Sequence, residues 1–242
     1  MTSKRKLHLN INIDTIENLV AELESIQSFS GGPKMHFNTA GERTLKLLSE
    51  RGIKSNSKTL DIGCGCLRIG MKLINYLDPG NYFGIEPNKP MLETGIKHLL
   101  SDSLRELKTP SFSYNDRFSV EDFKIKSFDC VVARSIWTHA PKTQIALMLD
   151  LFKESSTQNA KFFTSVLKKN PYPDYLGTTW VGRSHESVRE GVVHHNMKWI
   201  REQCNARSMR VRKIRDAELN FGNQVWLEIQ KTRHRLPVKC TD

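Results

Sequence analysis

The sequence predicts an α/β protein built on a mostly parallel sheet with helices on both faces. Three observations predict it. From Lys58 onward short apolar runs alternate with helical stretches, and parallel strands need crossover helices to connect them. The first apolar run passes through a glycine turn, "LDIGCGCLRIG" at residues 60–70, into the first of those helices. The length, 242 residues with 38% hydrophobic side chains, suits a single large core undivided into further domains.

The elements follow in order. Residues 14–27 place Ile16, Leu19, Val20, Leu23 and Ile26 on one helical stripe, with Asp14 and Glu17 in the form of a capping box. "SFSGGPKMHFN" breaks the period, and a second helix over 39–52 ends at Gly52. The alternation then runs "KTLDIG", "LRIGMKLINYL", "NYFGIE", "NKPMLETGIKHLL" after an Asn88 cap, "SFSYN", "FDCVVA", "PKTQIALMLDLFKES" and "AKFFTSVL". "MKWIREQCNA" reads as a helix, and "MRVRKI" and "NQVWLEIQ" as strands. This divides the chain into an N-terminal helical cap over 1–57, a main domain over 58–230 and a basic tail over 231–242. Residues 167–196 carry no clear period, and a structureless stretch of that length in a compact domain reads as a functional lid.

Composition excludes some classes and leaves others open. No run is long and apolar enough to span a membrane, and the opening "MTSKRKLHLNIN" lacks the apolar core of a secretory signal, so a cytoplasmic protein is expected. The 5 cysteines, Cys64, Cys66, Cys130, Cys204 and Cys240, are scattered and read as reduced thiols, and no metal site is expected from them or from the histidines. A formal charge of +11 suits an anionic partner such as RNA but reports association rather than chemistry.

The glycine turn decides the ligand class. A dinucleotide loop requires a third glycine at position 68, where Arg68 stands, so a nicotinamide enzyme is disfavoured. Asp61, Gly63 and Gly65 instead fit a D-x-G-x-G-x-G loop, with Leu67 in place of the last glycine. Through Asp61, the Gly63-Cys64-Gly65 turn and Arg68, this stretch resembles the first motif of the class I S-adenosylmethionine-dependent methyltransferases. "YFGIEPN", with Glu86 and Pro87, resembles their second motif. "FDCVVARSIWTH", with Ala133 and Arg134, resembles the segment lining the methyl-donor site, and "NQVWLEIQ" the last, antiparallel strand. The resemblance spans roughly residues 35–230.

It implies a three-layer Rossmann-like fold with a seven-stranded sheet, one strand antiparallel, and S-adenosylmethionine across the C-terminal strand ends. It also implies roles. Glu86 would accept bonds from the ribose hydroxyls, Asp61 would receive the ammonium group, and the helix N-terminus after Gly65 would face the carboxylate. Asp116 and Phe118 would meet the adenine, with Glu121 and Asp122 as competing acids. Leu67 would bend the loop onto a slightly different path.

Methyl transfer is an in-line displacement in which proximity and orientation do most of the work. An acceptor hydroxyl or ammonium needs a base, and His139 follows the strand beside the donor, which makes it the first candidate. His185, His194 and His195 in the lid are alternatives. Trp137 and Trp180 are candidate walls for an organic acceptor, His185 a further substrate contact, and Arg134 and Arg183 candidate partners for an acidic one. "NPYP" at 170–173 mimics an amine-methylating motif but follows the fifth strand rather than the fourth, so Pro171 and Pro173 read as loop stiffeners. The expected function is methylation of a small molecule, at oxygen first and nitrogen second. An RNA methyltransferase and a non-catalytic donor-binding protein are the alternatives.

Overall fold

The strands are β1 (Thr59–Ile62), β2 (Tyr82–Ile85), β3 (Ser111–Ser113), β4 (Phe128–Ala133), β5 (Ser156–Leu167), β6 (Met209–Lys213) and β7 (Gln224–Lys231). In the computed structural model, which describes residues 10–125, 127–168, 173–187, 189–216, 218–220 and 222–232, they form one sheet. Its order is β3-β2-β1-β4-β5-β7-β6. All neighbours pair in parallel except β7, which runs antiparallel to both β5 and β6. The fold is therefore the expected one.

Helices α1 (Ile13–Ser25), α2 (Phe37–Glu50), α3 (Gly70–Tyr76), α4 (Lys89–Leu99), α5 (Asp102–Lys108), α6 (Lys142–Glu154) and α7 (Met197–Ala206) cover the sheet. The alternation of side chains along each strand sorts the core into two clusters. Cys130, Val132, Phe163 and Trp226 pack with apolar residues of α1, α2, α3 and α4. Val131, Ala133, Phe162 and Leu227 pack on the other face with Ile145 and Met148 of α6 and Ile200 of α7. The N-terminal helices thus share a core with the sheet.

Local chemistry shifts some boundaries. Asn12, not Asp14, caps α1, because its side chain accepts from the Asp14 amide. Asn88 caps α4 as expected, accepting from the Met91 amide. The unforeseen α5 is capped by Ser101 and closed by Thr109 in the left-handed conformation. Cys64, Cys66, Cys130 and Cys204 are buried free thiols, and burial pushes the Cys66 thiol up to about 12 and raises that of Cys130 well above its ordinary value, which leaves them unreactive. Cys240, residues 233–242 of the tail and residues 170–172 of "NPYP" lie outside the described residues. Within those described, no helix is long and apolar enough to cross a membrane.

The described residues of 168–196 form no helix or strand, yet they are tethered. The Val181 amide donates to the His139 carbonyl and the Val193 amide to that of Thr138. His195 donates from Nε2 to the Ala140 carbonyl at 3.0 Å, and Lys142 pairs with Asp174. Each tether lands on the segment after β4.

The glycine turn after β1 is backed by α4. A Cβ on Gly95 would lie 2.5 Å from the Cys66 carbonyl oxygen, so only glycine lets the helix approach the turn this closely. Gly95→Ala should therefore destabilise the fold by about 1–3 kcal/mol, as overpacking does, read as a lower urea midpoint with an unchanged slope.

Candidate functional site

Turns at the C-terminal edge of the parallel strands surround a cavity of about 680 Å³. Ligands of open α/β sheets bind at this edge. The cavity takes Asp61, Gly63 and Gly65 from β1 and its turn, Glu86 and Pro87 from the end of β2, and Asp116 and Phe118 from beyond β3. Arg134, Ser135, Ile136 and His139 come from beyond β4, Trp180, Arg183 and His185 from the lid stretch, and Gln224 from the start of β7.

The β1 turn is held by its neighbour strand. The amides of Gly63 and Cys64 both donate to the Ile85 carbonyl, at 2.8 and 3.1 Å. Glu86 Oε2 accepts from the Gly65 amide at 3.0 Å and Oε1 from the Asn88 amide at 2.8 Å. Gly63 has φ +68, a left-handed conformation that strains any side chain, and a Cβ there would also have to displace the tip of Ile136 at 2.2 Å. Leu67 also has φ +63 and is fully buried. It adopts the left-handed conformation a glycine would take freely.

One correction concerns the helix after the turn. It begins only at Gly70, because residues 66–69 make tight turns around Leu67, including the Leu67 amide to the Cys64 carbonyl at 3.0 Å. The helix N-terminus expected directly after Gly65 is therefore displaced along the chain to Gly70.

Two carboxyls share the wall. Asp61 points away from Leu60 and Ile62, is 2% exposed, and accepts from the Tyr82 hydroxyl at 2.9 Å. Burial drives its carboxyl up to about 7, the Glu86 charge adds to this, and the Tyr82 bond opposes it. Burial likewise raises Glu86 to about 6 against the two amides that stabilise its charge. Asp116 lies exposed at the cavity, whereas Asp122 is engaged by Ser113 and Asn115 and neither it nor Glu121 reaches the cavity. Phe118 lines it with φ +57.

Arg68 is at the cavity, but its guanidinium is turned to the N-terminal segment. It donates to the carbonyls of Ser30 at 3.4 Å and Pro33 at 2.8 Å and lies over the Phe37 ring at 5.3 Å. The "SFSGGP" stretch, noticed in the sequence only as a break in period, is thereby strapped along the pocket. No local signal announces a contact between residues so far apart in the chain.

The acceptor-side residues divide. His139 donates from Nδ1 to the Val181 carbonyl at 2.9 Å, which leaves Nε2 as the lone-pair nitrogen. Burial lowers its pKa against the backbone bonds of Val181 and Gly191, so the ring is neutral near pH 7. Trp180 and His185 line the cavity with their rings edge to face at 5.2 Å. Trp137 does not, and is instead fully buried against Phe162. Ala133 is also sealed in the core, its carbonyl accepting from Thr164. His194 and His195 lie outside the cavity lining, so neither can take a proton there. Among the described residues no cluster of histidine, cysteine and acids is placed to hold a metal ion.

Residues 60–157 match the family model described as a methyltransferase domain. No curated protein sequence is significantly similar to the chain. Among solved structures, the magnesium protoporphyrin IX methyltransferase of Synechocystis PCC 6803 with bound SAH superposes with a TM-score of 0.58 at 13% identity, over 90% of this chain and 100% of that one. An S-adenosylmethionine-dependent methyltransferase of Clostridium acetobutylicum ATCC 824 gives 0.59 at 9% identity, over 81% and 92%. An O-methyltransferase family protein of Burkholderia thailandensis gives 0.57 at 12%, over 82% and 58%.

Both wall carboxyls hold protons more tightly folded than unfolded. Between the ordinary carboxylate range, about 4, and about 7 the folded chain carries the extra protons, so their contribution to stability falls as pH rises through that window. Buried His139 and His195, whose proton affinities are lowered, work in the opposite direction, so the carboxyl effect is read as a difference: in calorimetry of the ligand-free protein, Asp61→Asn should gain unfolding temperature relative to wild type as pH rises from 5 to 7.5 and unfold later than wild type at pH 8.

Proposed function

We propose that this chain is a class I S-adenosylmethionine-dependent methyltransferase that methylates a small organic acceptor, at a hydroxyl before a nitrogen, with His139 as the base. The observation that carries this reading is the pair of buried carboxyls, Asp61 and Glu86, in one cavity wall beside the glycine turn. Their chemistry fits the donor. An acid that accepts a backbone amide and still faces the cavity can take two ribose hydroxyls, and a second one buried behind it is stabilised by an ammonium group. Asp116 and Phe118 line the same cavity and would meet the adenine, with Met91 and Pro87 beside them.

S-adenosylmethionine, when bound, supplies a methyl group on a sulfonium. The residues of the chain then have three tasks. The strap over 28–33 and the lid residues Trp180 and His185 keep water from the cavity. Ile136, pressed against Gly63, fixes the floor between the two halves. His139 takes the acceptor proton on Nε2, its ring orientation set by the Val181 carbonyl. The O-methyltransferase and porphyrin methyltransferase among the structural neighbours support a small acceptor in this fold.

Calorimetric titration with S-adenosylhomocysteine tests the donor site. Asp61→Ala and Glu86→Ala should each weaken binding at least tenfold, about 1.4 kcal/mol; full affinity in both sinks the reading. His139→Gln should keep that affinity within threefold while turnover on a phenol panel falls roughly 10²–10⁴-fold, the usual worth of a general base.

A further inference from the structure

We propose that Tyr82 is a positioning residue for the methyl donor, its hydroxyl holding one oxygen of Asp61 so that the other is left to receive the donor's ammonium group as a carboxylate. The proposal rests on the methyltransferase reading and adds a residue outside the cavity lining that governs how the site takes its ligand.

The first ground is the room the chain makes for a single oxygen atom. Tyr82 opens β2, is 2% exposed, and donates from its hydroxyl to Asp61 Oδ2 at 2.9 Å. A Cβ on Gly70, the first residue of α3, would lie 2.4 Å from that hydroxyl oxygen and 2.9 Å from a Leu67 methyl. Glycine is a poor helix former, so α3 yields helix propensity where the phenol oxygen and Leu67 need the space. A phenylalanine at this position would keep the ring packing, edge to face with Phe112 at 6.0 Å, without reaching Gly70 through an oxygen. The hydroxyl therefore serves Asp61 rather than the core.

The second ground is the division of labour between the two oxygens of Asp61. Among the described residues only Tyr82 donates to this carboxyl. Asp61 nevertheless lines the cavity, and its Oδ1 is not sealed away from it. The direction of the Tyr82 bond is fixed. Burial and the Asp61 charge hold the phenol's ionisation well above its usual range, and the nearby Cys64 thiol is kept protonated by burial and by the charges of Asp61 and Glu86, so the hydroxyl remains a donor. Glu86, at the end of β2, is the charged group facing Asp61; the thiols of Cys64 in the turn and Cys130 on β4 stay neutral. Burial favours a protonated Asp61, the Tyr82 bond favours the charged form, and Glu86 opposes it. A bound ammonium group requires the charged form. The donor therefore enters as Asp61 gives its proton to solvent, and the Tyr82 hydroxyl sets how readily that proton leaves.

The test is calorimetric titration with S-adenosylhomocysteine, which carries the ammonium group, and with methylthioadenosine, which lacks it. Buffers of different ionisation enthalpy count the protons released. Wild type should release most of a proton on binding S-adenosylhomocysteine at pH 6.5 and little at pH 8.5. Tyr82→Phe should weaken that ligand about fivefold or more at pH 6.5 and come within about threefold of wild type at pH 8.5, one unit of carboxyl proton affinity being worth tenfold. Methylthioadenosine should bind both proteins alike, within about twofold, at either pH. Asp61→Asn should remove most of the proton release. A pH profile that Tyr82→Phe leaves unmoved, no proton release from wild type, or an equal loss for methylthioadenosine overturns the proposal, the last assigning Tyr82 to packing alone. Should Tyr82→Phe fail to fold, 3-fluorotyrosine in place of the 5 tyrosines, a stronger donor of nearly the same size, should shift the pH midpoint of binding downward; an unmoved midpoint overturns the proposal. Failure of wild type to bind either ligand would instead overturn the methyltransferase reading beneath it.

Discussion

The Glu86 carboxylate joins pieces of chain that the sheet alone leaves loose. One oxygen takes the Gly65 amide, the other takes the Asn88 amide at the head of α4, and the Glu86 amide itself donates to the Ser113 carbonyl at the end of β3. Three strand ends are thus fixed relative to one another around a single buried acid. An unpaired backbone amide in this position would cost about 1–3 kcal/mol, so the turn after β1 keeps its shape only while the acid is there. The cost of burying Glu86 and Asp61 in one wall is visible in their raised proton affinities. Fold stability is given up at the place where a cationic, hydroxyl-bearing ligand would return it.

The other walls are built by long-range ties rather than by strands. Arg68 reaches back to Ser30 and Pro33, and the segment after β4 receives the lid at His139, Thr138 and Ala140. His139 is bonded to the lid through both its ring and its backbone, so the ring nitrogen available for chemistry is selected by the same loop that closes the cavity. Mobility in the lid and basicity at His139 are therefore linked physically.

The strands and the carboxyl-bearing wall of the cavity were legible because their signals are local. Apolar runs fixed the strand cores, and Asp61, Gly63, Gly65 and Glu86 fall at positions where strand ends meet by parallel register. Trp137 misled because proximity to β4 does not tell which way the chain turns after it. The left-handed Ser135 redirects the backbone and sends the indole into the core beside Phe162. His194 and His195 share the lid's sequence texture but anchor it from outside the cavity. Gln224 carried no signal of its own, since only the antiparallel pairing of β7 on β5, which sets Gln224 opposite Leu167, brings it to the cavity. The Arg68 strap was hidden for the same reason, its partners being more than thirty residues away.

Leu67 gives the glycine turn a rigidity that a third glycine would not. Its left-handed backbone costs roughly 1–2 kcal/mol, but its side chain is fully enclosed, and enclosure of a leucine is worth about 3–5 kcal/mol when the alternative is a void. The balance favours a loop nailed down by its own side chain before any ligand arrives. Ordering entropy that a floppier loop would surrender on encountering its small molecule has here been surrendered when the chain collapses, so the encounter itself is left with less to organise.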